Sequence, residues 1–67
     1  MEEDIKNIQN GFWKIYKNFT ENKDMAEYNK NVRELVGKYK GDEILFPFCQ
    51  NLAITWAPVI NKLKGSI

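Results

Sequence analysis

The sequence predicts an all-α fold, a small three-helix bundle whose consecutive helices run up, down and up. Three runs of apolar residues recur at intervals of three and four, which aligns side chains along one helix face, whereas a strand needs alternation at every second residue. The links between the runs are short enough to join antiparallel neighbours. We expect one domain, residues 1–67, with helices over about 4–19, 24–40 and 47–64.

The first predicted helix has apolar residues at spacings of 3, 4, 3 and 4, namely Ile5, Ile8, Phe12, Ile15 and Phe19. Gly11 interrupts this helix and costs about 1 kcal/mol relative to alanine in a helix interior. The Asn10–Gly11 pair is therefore also compatible with a break that leaves residues 1–10 as a separate arm. Because the apolar phase continues across Gly11, we favour one helix.

The second predicted helix has the same spacing, in Met25, Tyr28, Val32, Leu35 and Tyr39. Asn22 or Asp24 can cap this helix, and Asp24 with Glu27 has the spacing of a capping box, with Asp in place of Ser or Thr. Gly41 follows the last apolar residue closely, where a left-handed residue commonly ends a helix. These signals predict a helix over about residues 24–40 that ends just before Gly41.

The third pattern comprises Leu45, Phe48, Leu52, Trp56, Val59 and Leu63. Proline suits the first turn of a helix, so we expect residues 42–46 to form a turn and the helix to begin near Pro47. Pro58 lies inside the pattern and is expected to kink the helix, because proline cannot donate the backbone hydrogen bond. Gly65–Ser66 is predicted to end it.

The residue types argue against catalysis and against metal binding. The chain has no histidine and one cysteine, Cys49, so it lacks both the ligands of a tetrahedral zinc site and a base that could activate the thiol. Cys49 falls in an apolar stretch and is expected to be a small buried hydrophobe. Most acidic residues cluster at predicted helix starts, where they serve capping and the helix dipole. We therefore expect no enzyme activity, no cofactor and no metal.

Charge and cysteine usage bear on compartment and partners. Ten Lys and Arg face nine Asp and Glu, and this small imbalance does not demand a nucleic-acid or membrane partner. The acidic amino terminus lacks the apolar stretch of a signal peptide, and a lone cysteine suits a reducing compartment. Residues 44–61 carry no charge, but two prolines and four polar side chains make them a poor membrane span. We expect a soluble cytoplasmic protein with no membrane partner.

Apolar side chains in excess of what so small a bundle can cover predict a protein partner. Candidates for remaining uncovered in the third helix are Phe46, Cys49, Ile54, Ala57 and Ile60. Trp13 and Tyr16 flank the first apolar stripe, where they either widen the core, which we favour for Trp13, or stay exposed as interface anchors. Our hypothesis is a protein-interaction module, either a homo-oligomer or an adaptor or inhibitor of a larger protein. The partner-binding residues that we select are Trp13, Tyr16, Phe46 and Ile54.

The alternative hypothesis is sequence-tolerant nucleic-acid binding. Several lysines lie near predicted helix ends, and Trp13 and Tyr16 could stack on bases. Two features weigh against it: the lysines are interspersed with acids, and the uncharged last helix lacks the polar surface of a recognition helix.

Two parts of the sequence carry a family resemblance. Residues 11–17, GFWKIYK, precede a helix of mixed charge, and Pro47–Phe48 leads an apolar helix. In this order the chain resembles small uncharacterised helical proteins of gut Firmicutes and their prophages, over residues 11–64. The resemblance implies a mobile-element or accessory protein that acts by binding, and it brings no activity and no site residues with it.

Overall fold

The computed structural model describes residues 1–65, and within them the chain forms three α-helices and no strand. The helices are α1 (Glu2–Asn22), α2 (Met25–Gly37) and α3 (Leu45–Gly65). Each helix packs against both others in an elongated bundle of 37 × 16 × 16 Å. The prediction of an all-α three-helix bundle is confirmed.

Two clusters of buried side chains fill the bundle and define its topology. The first cluster joins the amino-terminal half of α1, the carboxyl-terminal part of α2 and the start of α3, through Ile8, Phe12, Leu35, Leu45 and Cys49. The second joins the opposite ends of the same helices, through Phe19, Tyr28 and Ile60. The helices therefore run up, down and up, and α1 and α3 are parallel.

The α1 helix includes the residues that the sequence left open as a separate arm. It continues through Gly11 to Asn22 and ends at Lys23, whose backbone is left-handed (φ 56°, ψ 26°) and whose N–H donates to the carbonyl of Phe19 at 2.8 Å. The prediction of a left-handed backbone at Gly41 is wrong, because no glycine among residues 1–65 has a positive φ.

The end of α2 explains that error. The helix stops at Gly37, three residues earlier than predicted. Tight turns follow, in which the N–H of Tyr39 donates to the carbonyl of Val36 (3.1 Å) and the N–H of Asp42 donates to the carbonyl of Tyr39 (2.9 Å). These turns continue the winding of the chain, so no left-handed residue is needed at position 41.

The start of α2 has half of the predicted capping box. The Asp24 carboxylate accepts the backbone N–H of Glu27 at 3.1 Å, as expected. The return bond is made by another residue: the backbone N–H of Asp24 donates to the side-chain oxygen of Asn22 at 2.9 Å, and the Asn22 amide donates to the Glu27 carboxylate. The side chain of Asn22, the last residue of α1, therefore links that helix to the first turn of α2.

The start of α3 is organised by Asp42. Its Oδ1 accepts the N–H groups of Leu45 (2.8 Å) and Ile44 (2.9 Å). The helix begins at Leu45, so Pro47 lies in the first turn as predicted, although residues 45 and 46 are helical rather than part of a turn. Beyond Pro58 the helix continues to Gly65. The kink at Pro58 stays a prediction, and Ser66 of the predicted helix end lies outside the described residues.

Gly11 allows α1 and α2 to approach closely. A Cβ atom added at this position would lie 2.9 Å from Cδ2 and 3.1 Å from Cδ1 of Leu35, closer than such atoms normally pack. Leu35 is itself buried in the first cluster, so its side chain has little room to withdraw. Gly11 thus has a packing role that its helix propensity alone does not reveal.

Alanine substitutions at two helical glycines separate the effect of helix propensity from the effect of packing. A Cβ atom added at Gly37 would meet no other atom within 4 Å, so we expect Gly37→Ala to raise the free energy of unfolding by up to about 1 kcal/mol through helix propensity. For Gly11→Ala we expect no gain, or a loss of up to about 2 kcal/mol, because the added methyl displaces Leu35. Urea titrations measure both values.

A double-mutant cycle with Leu35→Ala serves as the control for this assignment. Removal of the Leu35 side chain should reduce the penalty of Gly11→Ala by more than about 0.5 kcal/mol, since the two groups are in contact. Equal stabilisation by alanine at positions 11 and 37 would contradict the packing role of Gly11.

The cap at Asp42 predicts a pH dependence of stability. The N–H groups of Leu45 and Ile44 lower the pKa of the Asp42 carboxyl, and the nearby amino terminus also lowers it. Because the pKa is lower in the folded state, the stabilisation is complete above the unfolded-state value of about 4 and is lost as the pH falls through the folded-state pKa. Asp42→Ala should therefore destabilise the bundle at pH 7 and flatten the acid limb of its stability profile.

Asp42→Asn is the matched variant, since an amide oxygen can accept the same N–H groups but does not titrate. We expect it to retain more stability at pH 7 than Asp42→Ala and to show an equally flattened acid limb in urea titrations between about pH 2 and pH 7. An acid limb that Asp42→Asn leaves unchanged would rule out the cap as its source.

Candidate interaction surface

Three aromatic rings form a row across the seam between α1 and α3. Trp13 and Tyr16 are three residues apart on α1, which makes them neighbours on the helix surface, and their ring centroids are 5.3 Å apart. Tyr16 also contacts Trp56 of α3, with centroids 5.1 Å apart and the planes tilted by 35°. We call Trp13, Tyr16 and Trp56 the aromatic row.

The outer end of the aromatic row is open to solvent. Trp13 is 53% exposed, whereas Tyr16 and Trp56 are half-buried. The preference for Trp13 as a core residue was therefore wrong, because its ring lies beside Tyr16 with more than half of its surface in water. The ammonium of Lys17 lies 6.0 Å from the centroid of the Trp13 ring, at the limit of a cation–π contact.

The four residues selected from the sequence do not form one surface. Trp13 and Tyr16 come together in the aromatic row. Ile54 is 69% exposed, but it lies two positions from Trp56 and hence about 200° around α3, facing away from the row. Phe46 is half-buried in the first turn of α3, about 15 Å along the helix axis from Trp56.

The predicted stripe of α3 is buried or packed against a cluster at five of its six residues, and it is wrong at Val59, which is 44% exposed. Cys49 is 0% exposed, which confirms the prediction of a small buried hydrophobe and removes it from the candidates for exposure. Ile60, another of those candidates, is 1% exposed. Ala57 is exposed, as that hypothesis allowed. Val59 was misassigned because α3 has apolar residues on several sides, so that Ile60 fits the apolar spacing as well as Val59 does.

Sequence reasoning overlooked two features of the apolar surface. Trp56 packs against the first cluster, as its place in the core stripe predicted, but its half-buried ring also completes the aromatic row. Ile44, which precedes α3, is 63% exposed. The available signal was topological: in an up-down-up bundle the first and third helices are parallel, so residues at equal height, such as Tyr16 and Trp56, are expected to meet.

The titratable groups of the interior have unreactive surroundings. Burial raises the pKa of the Cys49 thiol, which keeps it protonated and poorly nucleophilic. Burial also raises the pKa of Tyr28, and it raises the pKa of Tyr39 together with the charge of Asp4 and the thiolate form of Cys49. Within residues 1–65 no three His, Cys, Asp or Glu side chains are grouped to hold a metal ion.

A shallow depression lies along the first turns of α1. Its lining residues are Met1, Glu2, Glu3, Lys6 and Asn7. All five come from one stretch of chain, so no second element encloses a ligand there. The amino group of Met1 is 4.0 Å from the Asp4 carboxylate and balances part of the acidic charge at this end.

None of the helices formed by residues 1–65 combines the length and the apolar character needed to cross a bilayer. No known protein family, curated protein or solved structure matches this chain.

Proposed function

We propose that this chain is a protein-interaction module, acting either as a homo-oligomer or as a small adaptor or inhibitor of a larger protein. The observation that carries the proposal is the half-exposed Trp13 at the open end of the aromatic row. A large aromatic side chain left partly in water at a seam between two helices is the usual form of an interface anchor.

The free energy of burying Trp13 against a partner is large enough for such a role. If a partner covers about 100 Å² of apolar surface on Trp13, the transfer from water contributes roughly 2.5 kcal/mol. The contact of Trp13 with Tyr16, and of Tyr16 with Trp56, already restricts the side chains. Binding therefore loses less side-chain entropy than it would with freely rotating groups.

The proposal assigns no catalysis to the chain and a cytoplasmic setting. Its single thiol is buried with a raised pKa, which suits a packing role rather than a nucleophilic one. A cysteine with no second cysteine in the chain suits a reducing compartment. From the resemblance of residues 11–64 to small prophage proteins we also propose an accessory role that acts by binding.

Trp13→Ala tests the proposal. The tagged chain is used to capture binding proteins from an extract of the source cells, and the affinity of the purified partner is then measured by titration calorimetry. We expect Trp13→Ala to weaken that affinity about 30-fold, as is typical of a hot-spot aromatic residue. Circular dichroism should show an unchanged helix content, because Trp13 lies outside both buried clusters.

Asn29→Ala on the exposed side of α2 is the matched control and should bind the partner with unchanged affinity. Equal binding by Trp13→Ala and by the unsubstituted chain would remove Trp13 from the interface. If the chain bound neither another protein nor itself, the proposed function would be wrong.

Nucleic-acid binding is the second candidate, and the position of Lys17 beside Trp13 favours it. A cation next to an exposed ring is the arrangement that single-stranded nucleic acids use for backbone contact and base stacking. The near-neutral charge of the chain makes it the weaker candidate.

Fluorescence anisotropy of labelled single-stranded DNA and RNA separates the two candidates. We expect no binding even at about 20 mM salt, because a protein with a net charge of +1 releases few counterions. Binding that weakens steeply up to about 200 mM salt and is lost in Trp13→Ala would favour nucleic acid instead.

A further inference from the structure

The outward side of α3 carries no charge along most of its length. Its exposed stripe follows helical spacing and comprises Pro47, Gln50, Asn51, Ile54, Pro58 and Asn61, which we call the uncharged face. Ile54 is at its centre and is 69% exposed. No Asp, Glu, Lys or Arg occurs between Glu43 and Lys62.

The other two helices have charged outward sides. On α1 the exposed residues include Lys6, Lys14, Lys17 and Glu21, and on α2 they include Glu27, Lys30, Arg33 and Glu34. Charged residues are 28% of the chain, a share that would place about five in residues 44–61, where there are none. Surface charge keeps small domains apart in solution, so a helix face that lacks it is suited to burial against another surface.

We propose that the uncharged face binds the uncharged face of a second copy of this chain, with a twofold axis close to Ile54. The inference rests on the proposed function and names its partner. In a twofold interface each residue near the axis meets its own counterpart, so any charge there would repel itself. A face without charge is compatible with its own copy, whereas it offers nothing to a strongly charged partner.

The polar members of the uncharged face also suit self-association. The amides of Gln50 and Asn51 each donate and accept, so each can pair with the same group of another copy. The Thr55 hydroxyl on the flank already donates to the carbonyl of Asn51 at 2.8 Å and brings no unsatisfied donor to the contact. Ile54, Pro47 and Pro58 supply apolar surface around the axis.

The dimensions of the face indicate a weak dimer. From Pro47 to Asn61 the face extends about 22 Å along α3, and a helix about 10 Å wide offers roughly 220 Å² in projection. A stable interface of standard size buries about 800 Å² from each partner. We therefore expect a weak dimer, with a dissociation constant in the micromolar range or above.

Charge substitution at Ile54 tests the arrangement. Sedimentation equilibrium of the unsubstituted chain, from about 10 μM to about 1 mM, should show reversible dimerisation. In Ile54→Glu and in Ile54→Lys, two like charges meet at the axis, so each variant alone should dimerise at least about tenfold more weakly. An equimolar mixture of the two variants should dimerise again, because opposite charges then face each other.

Asn29→Glu and Asn29→Lys make the same charge changes at an exposed position of α2 and should leave dimerisation unchanged. Circular dichroism of the Ile54 variants should match the unsubstituted chain, since Ile54 lies outside both buried clusters. A chain that stays monomeric to about 1 mM overturns the inference, as does a dimer that persists in both Ile54 variants. A mixture that fails to associate overturns the twofold arrangement.

These outcomes are independent of the test at Trp13. The aromatic row and Ile54 face different sides of α3, so a monomeric chain that still binds another protein through Trp13 would retain the proposed function and lose only the dimer. A chain that binds neither another protein nor itself would contradict both the proposed function and the dimer.

Discussion

The absence of a side chain at Gly11 leaves room for Leu35, and at this contact α1 and α2 approach closely. Leu35 extends from it into the cluster that holds Ile8, Phe12 and the first turns of α3. Trp13, two positions further along α1, points about 200° away from Gly11. The tight side of α1 therefore faces α2, and the open side carries the aromatic residue.

The small core explains why so much apolar surface remains outside. Within residues 1–65, eight hydrophobic side chains are buried, in two clusters at either end of the bundle. Half-buried residues between them, such as Ile15 and Val32, pack against both clusters. The two helices α1 and α2 cannot enclose all the apolar sides of α3. The surplus appears on two sides of α3, as the aromatic row and as the uncharged face. One chain thus has room for two separate contacts.

Helix ends depend on polar groups close in sequence. Asp24 and Asp42 each accept backbone N–H groups of the turn that follows them, and Asn22 bridges α1 to α2. Such bonds close over two to five residues and need no tertiary support. They leave the long helix faces free for packing and binding, which is why the caps and the candidate surfaces do not share residues.

The amino-acid sequence alone determined three helices, their order, the cap at Asp24 and the place of Pro47 in the first turn of α3, because these depend on spacing and on groups a few residues apart. Tertiary structure decided which side of α3 is buried, because Cys49 and Ile60 fit the apolar spacing as well as Val59 does. It also decided the exposure of Trp13 and the meeting of Tyr16 with Trp56, forty residues apart. The physical reason is that an amphipathic helix has one face that it can bury, whereas for a helix apolar on all sides only its neighbours select the buried face.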